Sequence, residues 1–104
     1  MITAKEAFKK SQLGYENYMN HLKEIVKNEL ENYITEKIEL AINRGAFSTE
    51  YWWSVGWFED QAIFLDDFLT CLEKELEFFG YKTFTSQNEE CGIIWIDWDQ
   101  EEEG

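Results

Sequence analysis

Along the first forty residues, apolar positions recur at steps of three and four, the spacing of one face of an α-helix. The pattern opens with Thr3 and Glu6, the residue pair of a capping box, and stops at Gly45, a residue type that commonly ends helices. A helix over residues 3–43 would be about 60 Å long at 1.5 Å per residue, with Gly14 as a point where it could kink or divide. The predicted apolar face consists of Tyr15, Tyr18, Met19, Leu22, Ile25, Val26, Leu30, Tyr33, Ile34, Ile38, Ala41 and Ile42.

After Gly45 the pattern changes to alternation, because every second position from Phe47 to Trp57 is apolar and mostly aromatic, except for Thr49. This period of two predicts a β-strand. Helical spacing returns after Glu59 and predicts a second helix over residues 59–79, ended by Gly80. The segments YKTFTS and GIIWIDW flank QNEEC and predict a β-hairpin.

The predicted order is therefore helix, strand, helix, strand, strand, which is typical of the α+β class. We expect one small domain over residues 1–98, with a mostly antiparallel sheet covered on one face by the helices. Residues 99–104 are expected to form an acidic, disordered tail, because they contain nothing that could pack.

The aromatic residues divide between the two faces of the predicted strands. Trp53, Trp57, Phe68 and Trp95 are expected in the core, since aromatic side chains dominate small cores. A sheet covered on one face cannot bury both faces of an aromatic strand. The tryptophans of opposite parity are therefore expected to be partly exposed interface residues: Trp52 and Trp98.

Charge is distributed unequally along the chain. Residues 1–58 contain eight acidic and seven basic residues, whereas residues 59–104 contain fourteen acidic and two basic ones, for net charges of −1 and −12. A total charge of −13 excludes the basic surface that direct nucleic-acid binding needs, and it disfavours anionic membranes. Since no apolar run is long enough for a bilayer and no signal-peptide pattern is present, we expect a cytoplasmic protein with reduced cysteines.

The sequence contains no pattern typical of catalysis or metal binding. His21 is the single histidine, and there is no glycine-rich phosphate loop, no HExxH and no CxxC. Asp97 and Asp99 lack the glycine and the ligand spacing of a calcium loop. We therefore predict a protein that is not an enzyme, with no catalytic residue, no metal site and no cofactor.

The acids of the predicted second helix recur at steps of seven, about 10 Å apart along one line of a helix. This holds for Glu59, Asp66 and Glu73, and again for Asp60 and Asp67. One interpretation is an ordinary solvated face. The other is a surface that imitates the regular negative charge of a nucleic-acid backbone and binds a basic, nucleic-acid-binding protein. The residues predicted to bind this partner are Glu59, Asp60, Asp66, Asp67, Glu73, Glu77, Glu89, Glu90, Trp52 and Trp98.

Four segments, ITAKEA, INRGAFS, GYK and IIWIDW, resemble those of a large group of small α/β proteins encoded by phages and prophages of Gram-positive bacteria. The resemblance covers most of the chain, but its motifs are structural and imply no catalytic residue. The aromatic strand and the acidic second half depart from the pattern of the group.

A phage origin implies a function, because small acidic phage proteins are often inhibitors of host nucleic-acid machinery, including anti-CRISPR and anti-restriction proteins. The resemblance therefore favours a non-enzymatic inhibitor that acts in the host cytoplasm and blocks a nucleic-acid site by charge mimicry. The alternative is a structural or assembly protein that forms a homodimer through the first helix or the aromatic strand.

Overall fold

The structure, a computed structural model, describes residues 1–100. Their order of elements confirms the α+β class and adds one short helix to the predicted series. The elements are α1 (Ala4–Glu29), a π-helical turn (Leu30–Ile34), α2 (Thr35–Asn43), β1 (Ser48–Ser54), α3 (Val55–Gln61), α4 (Leu65–Phe78), β2 (Lys82–Gln87) and β3 (Cys91–Asp97).

The first predicted helix is confirmed at both ends, and it runs through Gly14 without a break. The Thr3 hydroxyl caps its start by accepting a hydrogen bond from the Glu6 backbone N–H at 3.2 Å. At its end Gly45 adopts a left-handed φ of 77°, and the N–H of Ala46 donates to the carbonyl of Ala41 at 3.0 Å. These contacts satisfy backbone groups that a helix end leaves without partners.

The π-helical turn keeps one face of this long helix pointed at the core. Successive buried positions are four and then three residues apart before the turn, and again four and then three apart after it. Across the turn they are five residues apart. A π turn contains one residue more than an α turn, so it accommodates the step of five. The buried positions before and after the turn therefore lie on the same face of the helix. The buried positions are Leu22, Val26, Glu29, Ile34, Ile38 and Ala41.

The three strands form an antiparallel sheet in the order β1-β3-β2, with β3 in the centre. Ile94 and Ile96 of β3 face the helices and are fully buried. Gly92 allows α4 to pack closely, because a Cβ atom there would lie 3.3 Å from the Leu65 side chain. The core residues are Leu22, Val26, Ile34, Ile38, Trp53, Phe58, Ile63, Phe68, Leu69, Leu72, Leu76, Ile94 and Ile96.

Two predicted boundaries were wrong. The strand ends at Ser54 instead of continuing to Trp57, because the Ser54 hydroxyl accepts the Trp57 N–H at 3.3 Å and starts α3. The second predicted helix is divided, because Ala62 adopts a left-handed φ of 57° and ends α3. The division lets both Phe58 and Ile63 enter the core.

The aromatic predictions hold in part. Trp53 and Phe68 are buried as expected, and Trp57 is partly buried. Trp95 was wrongly expected in the core: it is 37% exposed, on the sheet face that no helix covers, between Glu50 and Phe84 on the neighbouring strands. Phe79, placed in the predicted second helix, is also exposed.

The N-terminal part of α1 projects from the domain. Every side chain from Phe8 to Glu16 is exposed, and burial begins at Tyr18. The molecule accordingly measures 63 × 30 × 23 Å. At the other end of the chain the N–H of Asp99 donates to Asp97 Oδ1 at 2.7 Å, while residues 101–104 of the predicted tail lie outside the described residues.

Candidate partner-binding site

Six of the predicted carboxylates lie on three segments that contact or directly follow one another: the β2–β3 turn, α3 and the first turn of α4. The N–H of Val55 donates to the carbonyl of Glu90 at 2.9 Å, which joins α3 to the turn. Gln87 Nε2 donates to Asp66 Oδ1, which joins α4 to the same turn. Glu59 and Asp60 lie in the last turn of α3, which three residues, 62–64, connect to the start of α4. We call this region the acidic end: Glu59, Asp60, Asp66, Asp67, Glu89 and Glu90, all exposed.

Two of these acids take part in the internal structure. Asp66 is held by Gln87, and Asp67 accepts a hydrogen bond from the Tyr18 hydroxyl at 2.7 Å. The same hydroxyl accepts the Phe64 N–H at 3.0 Å, so Asp67 helps to fasten the α3–α4 connection to α1. Both acids lie in the first turn of α4, where the helix dipole favours negative charge.

The other four acids make no side-chain hydrogen bond within residues 1–100: Glu59, Asp60, Glu89 and Glu90. The turn that carries Glu89 and Glu90 is nevertheless shaped by Asn88, whose Oδ1 accepts the N–H groups of Glu90 and Cys91 at 2.7 and 2.9 Å. These four carboxylates are therefore exposed, unpaired with described residues, and available to a partner.

The remaining predicted acids lie elsewhere. Glu73 is half-buried and accepts a hydrogen bond from the Thr85 hydroxyl at 2.7 Å. Glu77 is in the last turn of α4, about 16 Å along the axis from Asp66. The predicted rows with a step of seven are wrong as continuous lines, because Glu59 and Asp60 belong to α3 and not to α4.

The two candidate tryptophans are separated. Trp52 is 62% exposed on the uncovered sheet face, opposite Ile93 and three residues before the start of α3, so it borders the acidic end. Trp98 follows the far end of β3, where it is partly buried and its ring lies 6.2 Å from that of Tyr81. The structure therefore joins Trp52 to the acidic end and leaves Trp98 away from it.

Beside the acidic end is a cavity of about 430 Å³ that the sequence did not predict. Its walls come from α1, the π-helical turn, β1 and α3. The residues around it are Ile25, Asn28, Glu29, Tyr33, Tyr51, Trp52, Trp53, Ser54, Trp57 and Gln61. We call it the aromatic pocket.

Glu29 is the charged residue of this pocket, and it is only 4% exposed. Its Oε1 accepts a hydrogen bond from the Trp53 indole N–H at 2.6 Å. Burial raises the pKa of the Glu29 carboxyl, and the Trp53 hydrogen bond acts in the opposite direction. The sequence held a signal for this residue, because Glu29 stands three positions after Val26 and seven after Leu22, inside the buried stripe.

A second groove, of about 680 Å³, separates the long helix from α4. Cys71 lines it as a free thiol, and burial raises the pKa of that thiol. Cys91 is also a free thiol. Apolar residues of the core, such as Val26, Ile34 and Leu76, line part of the groove, and charged residues also line it: Lys23, Lys27, Glu31 and Glu75.

The described residues form no cluster of metal-ligating side chains. In residues 1–100 no group of three or more His, Cys, Asp and Glu side chains is placed to hold a metal ion. His21 Nε2 donates to the carbonyl of Gln61 at 2.6 Å, which fastens the end of α3 to α1. None of the helices within this part of the chain is long and apolar enough to cross a membrane.

Comparison of the chain with protein-family models, with curated proteins and with solved structures finds no significant match. The resemblance to small phage and prophage proteins therefore rests on the four sequence segments alone, and the functional argument rests on the geometry of the acidic end and the aromatic pocket.

Proposed function

We propose that this protein is a non-enzymatic inhibitor that binds a basic, nucleic-acid-binding host protein and occupies its nucleic-acid site. The observation that carries the proposal is the acidic end, where four exposed carboxylates on two separate segments have no partner within residues 1–100. They belong to the half of the chain whose net charge is −12.

The physical basis of the proposal is electrostatic. A basic groove built for DNA receives about one negative charge per 1.7 Å of duplex, and a protein that offers clustered carboxylates competes for the same cations. A field of this strength also speeds the encounter with a basic partner, and salt weakens the effect. The resemblance to phage proteins adds the class of target, a CRISPR or restriction complex in the cytoplasm of a host bacterium.

The test compares two variants with the same change in charge. The acidic-end variant carries Glu59→Gln, Asp60→Asn, Glu89→Gln and Glu90→Gln. The first-helix variant removes four exposed carboxylates of the long helix that lie at least twelve residues along the chain from Tyr18 and ten from His21, the residues that contact the acidic end: Glu6→Gln, Glu31→Gln, Glu36→Gln and Glu39→Gln. Asp66, Asp67 and Glu73 are left unchanged, because each accepts an internal hydrogen bond and its replacement would also disturb the fold.

Tagged full-length protein and both variants are used to capture partners from a lysate of Gram-positive bacteria, at low and high salt. We expect the wild type and the first-helix variant to retain the same basic nucleic-acid-binding protein at low salt, and the acidic-end variant to lose it. Equal capture by all three proteins would contradict a role for the acidic end, and so would a captured partner without a basic nucleic-acid site.

A second candidate function, assembly as a homodimer, is favoured by the projecting part of α1. Phe8 and Tyr15 are 65% and 66% exposed and lie seven residues apart, in line with buried Leu22. An apolar stripe that continues beyond the domain can be buried by the same helix of a second copy. Light scattering at several concentrations tests this candidate, with Phe8→Ser plus Tyr15→Ser as the disrupting variant and Phe78→Ser, on exposed α4 surface, as the control. A monomer at every concentration would exclude it.

A further inference from the structure

The aromatic pocket combines ring surfaces with a buried carboxylate. The ring centroids of Tyr51 and Trp53 lie 4.7 Å apart, and those of Trp53 and Trp57 lie 6.1 Å apart. The phenol ring of Tyr33 lines the pocket from the π-helical turn. Aromatic faces attract cations, more strongly when the cation is partly removed from water.

The charge of Glu29 is incompletely compensated by the protein. Oε1 accepts the Trp53 indole N–H, and no group within residues 1–100 donates a hydrogen bond to Oε2. Neither a lysine nor an arginine is present among the residues that line the pocket. Because a buried carboxylate is costly unless it is paired, the pocket offers a favourable position to a cation supplied from outside.

We propose that the aromatic pocket binds an organic cation with N–H donors, either the guanidinium group of arginine or the primary ammonium group of lysine. The cation would donate to Glu29 Oε2 and lie against the rings of Tyr33, Tyr51 and Trp57. Asn28, Ser54 and Gln61 supply further polar atoms at the pocket wall for the remaining N–H groups.

The size and position of the pocket fit a side chain of a basic protein. Its volume of about 430 Å³ is within the range of roughly 300–1,000 Å³ found for ligand pockets. Gln61, at its rim, directly follows Glu59 and Asp60 of the acidic end. The inference thus extends the proposed function, since a basic partner attracted by the acidic end could insert one side chain into the aromatic pocket. Binding of a cation by the pocket can nevertheless be tested without that partner.

The test uses Nα-acetylated amino-acid amides as probes, so that the side chain carries the only charge, and the tryptophan fluorescence of the full-length protein as the signal. The acetylated amides of arginine and lysine, called argininamide and lysinamide below, are titrated. The acetylated amide of citrulline, called citrulline amide, is a neutral probe of nearly the same shape as argininamide. We expect saturable binding of at least one cationic probe and no saturable binding of citrulline amide. Equal responses to citrulline amide and argininamide, or no saturation with either cation, would overturn the proposal.

Two substitutions locate the bound cation. Glu29→Gln keeps an oxygen that can accept the Trp53 N–H but removes the charge, so it is expected to weaken binding by about tenfold or more, the scale of a hydrogen bond to a charged group. Glu31→Gln removes the same charge from a neighbouring exposed position outside the pocket and is expected to leave binding unchanged. Equal affinity of the wild type and the Glu29→Gln protein would contradict a site at Glu29.

A further variant keeps the test decisive if Glu29→Gln disturbs the fold. Tyr33 is about half exposed, so Tyr33→Leu is compatible with folding and removes one ring from the pocket. We expect it to weaken binding severalfold, and unchanged affinity would argue against the aromatic contribution. At high salt, which screens the exposed charges, the acidic-end variant is expected to bind argininamide as the wild type does, so this inference and the proposed function fail separately.

Discussion

The acidic end and the aromatic pocket contain the same functional group in opposite surroundings. At the acidic end, four carboxylates are exposed to water and lack partners within residues 1–100. In the pocket, one carboxylate is 4% exposed and bound to an indole N–H. Exposed charges act over distance, are screened by salt and cost little to replace, whereas a buried charge acts at contact distance and is costly to leave unpaired. The first arrangement suits attraction of a partner, and the second suits recognition of one group on it.

The largest difference between the two regions is expected in stability. Glu29→Ala leaves the buried Trp53 N–H without an acceptor and opens a cavity, so it is expected to lower the free energy of unfolding by about 2–4 kcal/mol. Glu29→Gln retains the acceptor and is expected to change it by less than about 1 kcal/mol. Urea unfolding measures both. Equal losses would show that the Trp53 hydrogen bond contributes little.

The pH dependence of stability separates Glu29 from the exposed acids. Because the pKa of Glu29 is raised in the folded state, its contribution to stability is fully present below the ordinary value of 4.5 and is lost as pH rises through the folded-state value. The wild type should therefore lose stability relative to the Glu29→Gln protein as pH rises through this window. Urea unfolding at a series of pH values tests this, and a constant difference between the two proteins would show that the pKa of Glu29 is not raised.

The exposed acids should respond to salt. Like charges that lie close together destabilise a fold by a few tenths of a kcal/mol per pair, and the Debye length falls from about 30 Å at 0.01 M salt to about 3 Å at 1 M. The melting temperature of the wild type at pH 7 should therefore rise with added NaCl.

The variants identify the source of this salt response. The acidic-end variant should melt at a higher temperature than the wild type in low salt and respond less to NaCl. The first-helix variant should respond as the wild type does, because the acids of residues 1–58 are nearly balanced by bases. A flat or falling response of the wild type would mean that the acidic end is already compensated.

The smallest effect is expected where α3 ends. Ala62 adopts a left-handed φ of 57°, which costs an L-residue about 1 kcal/mol relative to glycine. Ala62→Gly should therefore raise the free energy of unfolding by up to about 1 kcal/mol. The greater conformational freedom of glycine in the unfolded chain reduces this gain. Thermal unfolding measures it, and a clear destabilisation would show that the Ala62 methyl group contributes packing that outweighs the strain.

Local chemistry made part of this molecule predictable. The ends of the long helix follow from Thr3 and Gly45, whose capping contacts depend on residues a few positions away. The hairpin and the buried face of α4 follow from simple periodicity. Alternation also identified Trp52 as exposed, since its neighbour Trp53 enters the core.

Tertiary packing decided what the sequence could not. The break at Ala62 could not be predicted, because this position is neither glycine nor proline, the residue types that commonly end helices. The break is explained by packing, since Phe58 and Ile63 are both buried in the core. The alternation of side chains along a strand predicts that Trp95 and Trp98 lie on opposite faces of the sheet. It does not show which of the two faces the helices cover. The spacing of the buried stripe includes Glu29, but its hydrogen-bond partner Trp53 is 24 residues away in the chain, so the sequence could not predict their contact.

The central claim, that the acidic end replaces nucleic acid on a basic partner, is tested most directly by displacement. Fluorescently labelled DNA is bound to the captured partner, and its release is followed by anisotropy as each protein is added. We expect the wild type and the first-helix variant to release the DNA at the same concentration, and the acidic-end variant to need about tenfold more or to fail. Release that is unaffected by neutralising Glu59, Asp60, Glu89 and Glu90, or a complex in which DNA stays bound, would contradict the account.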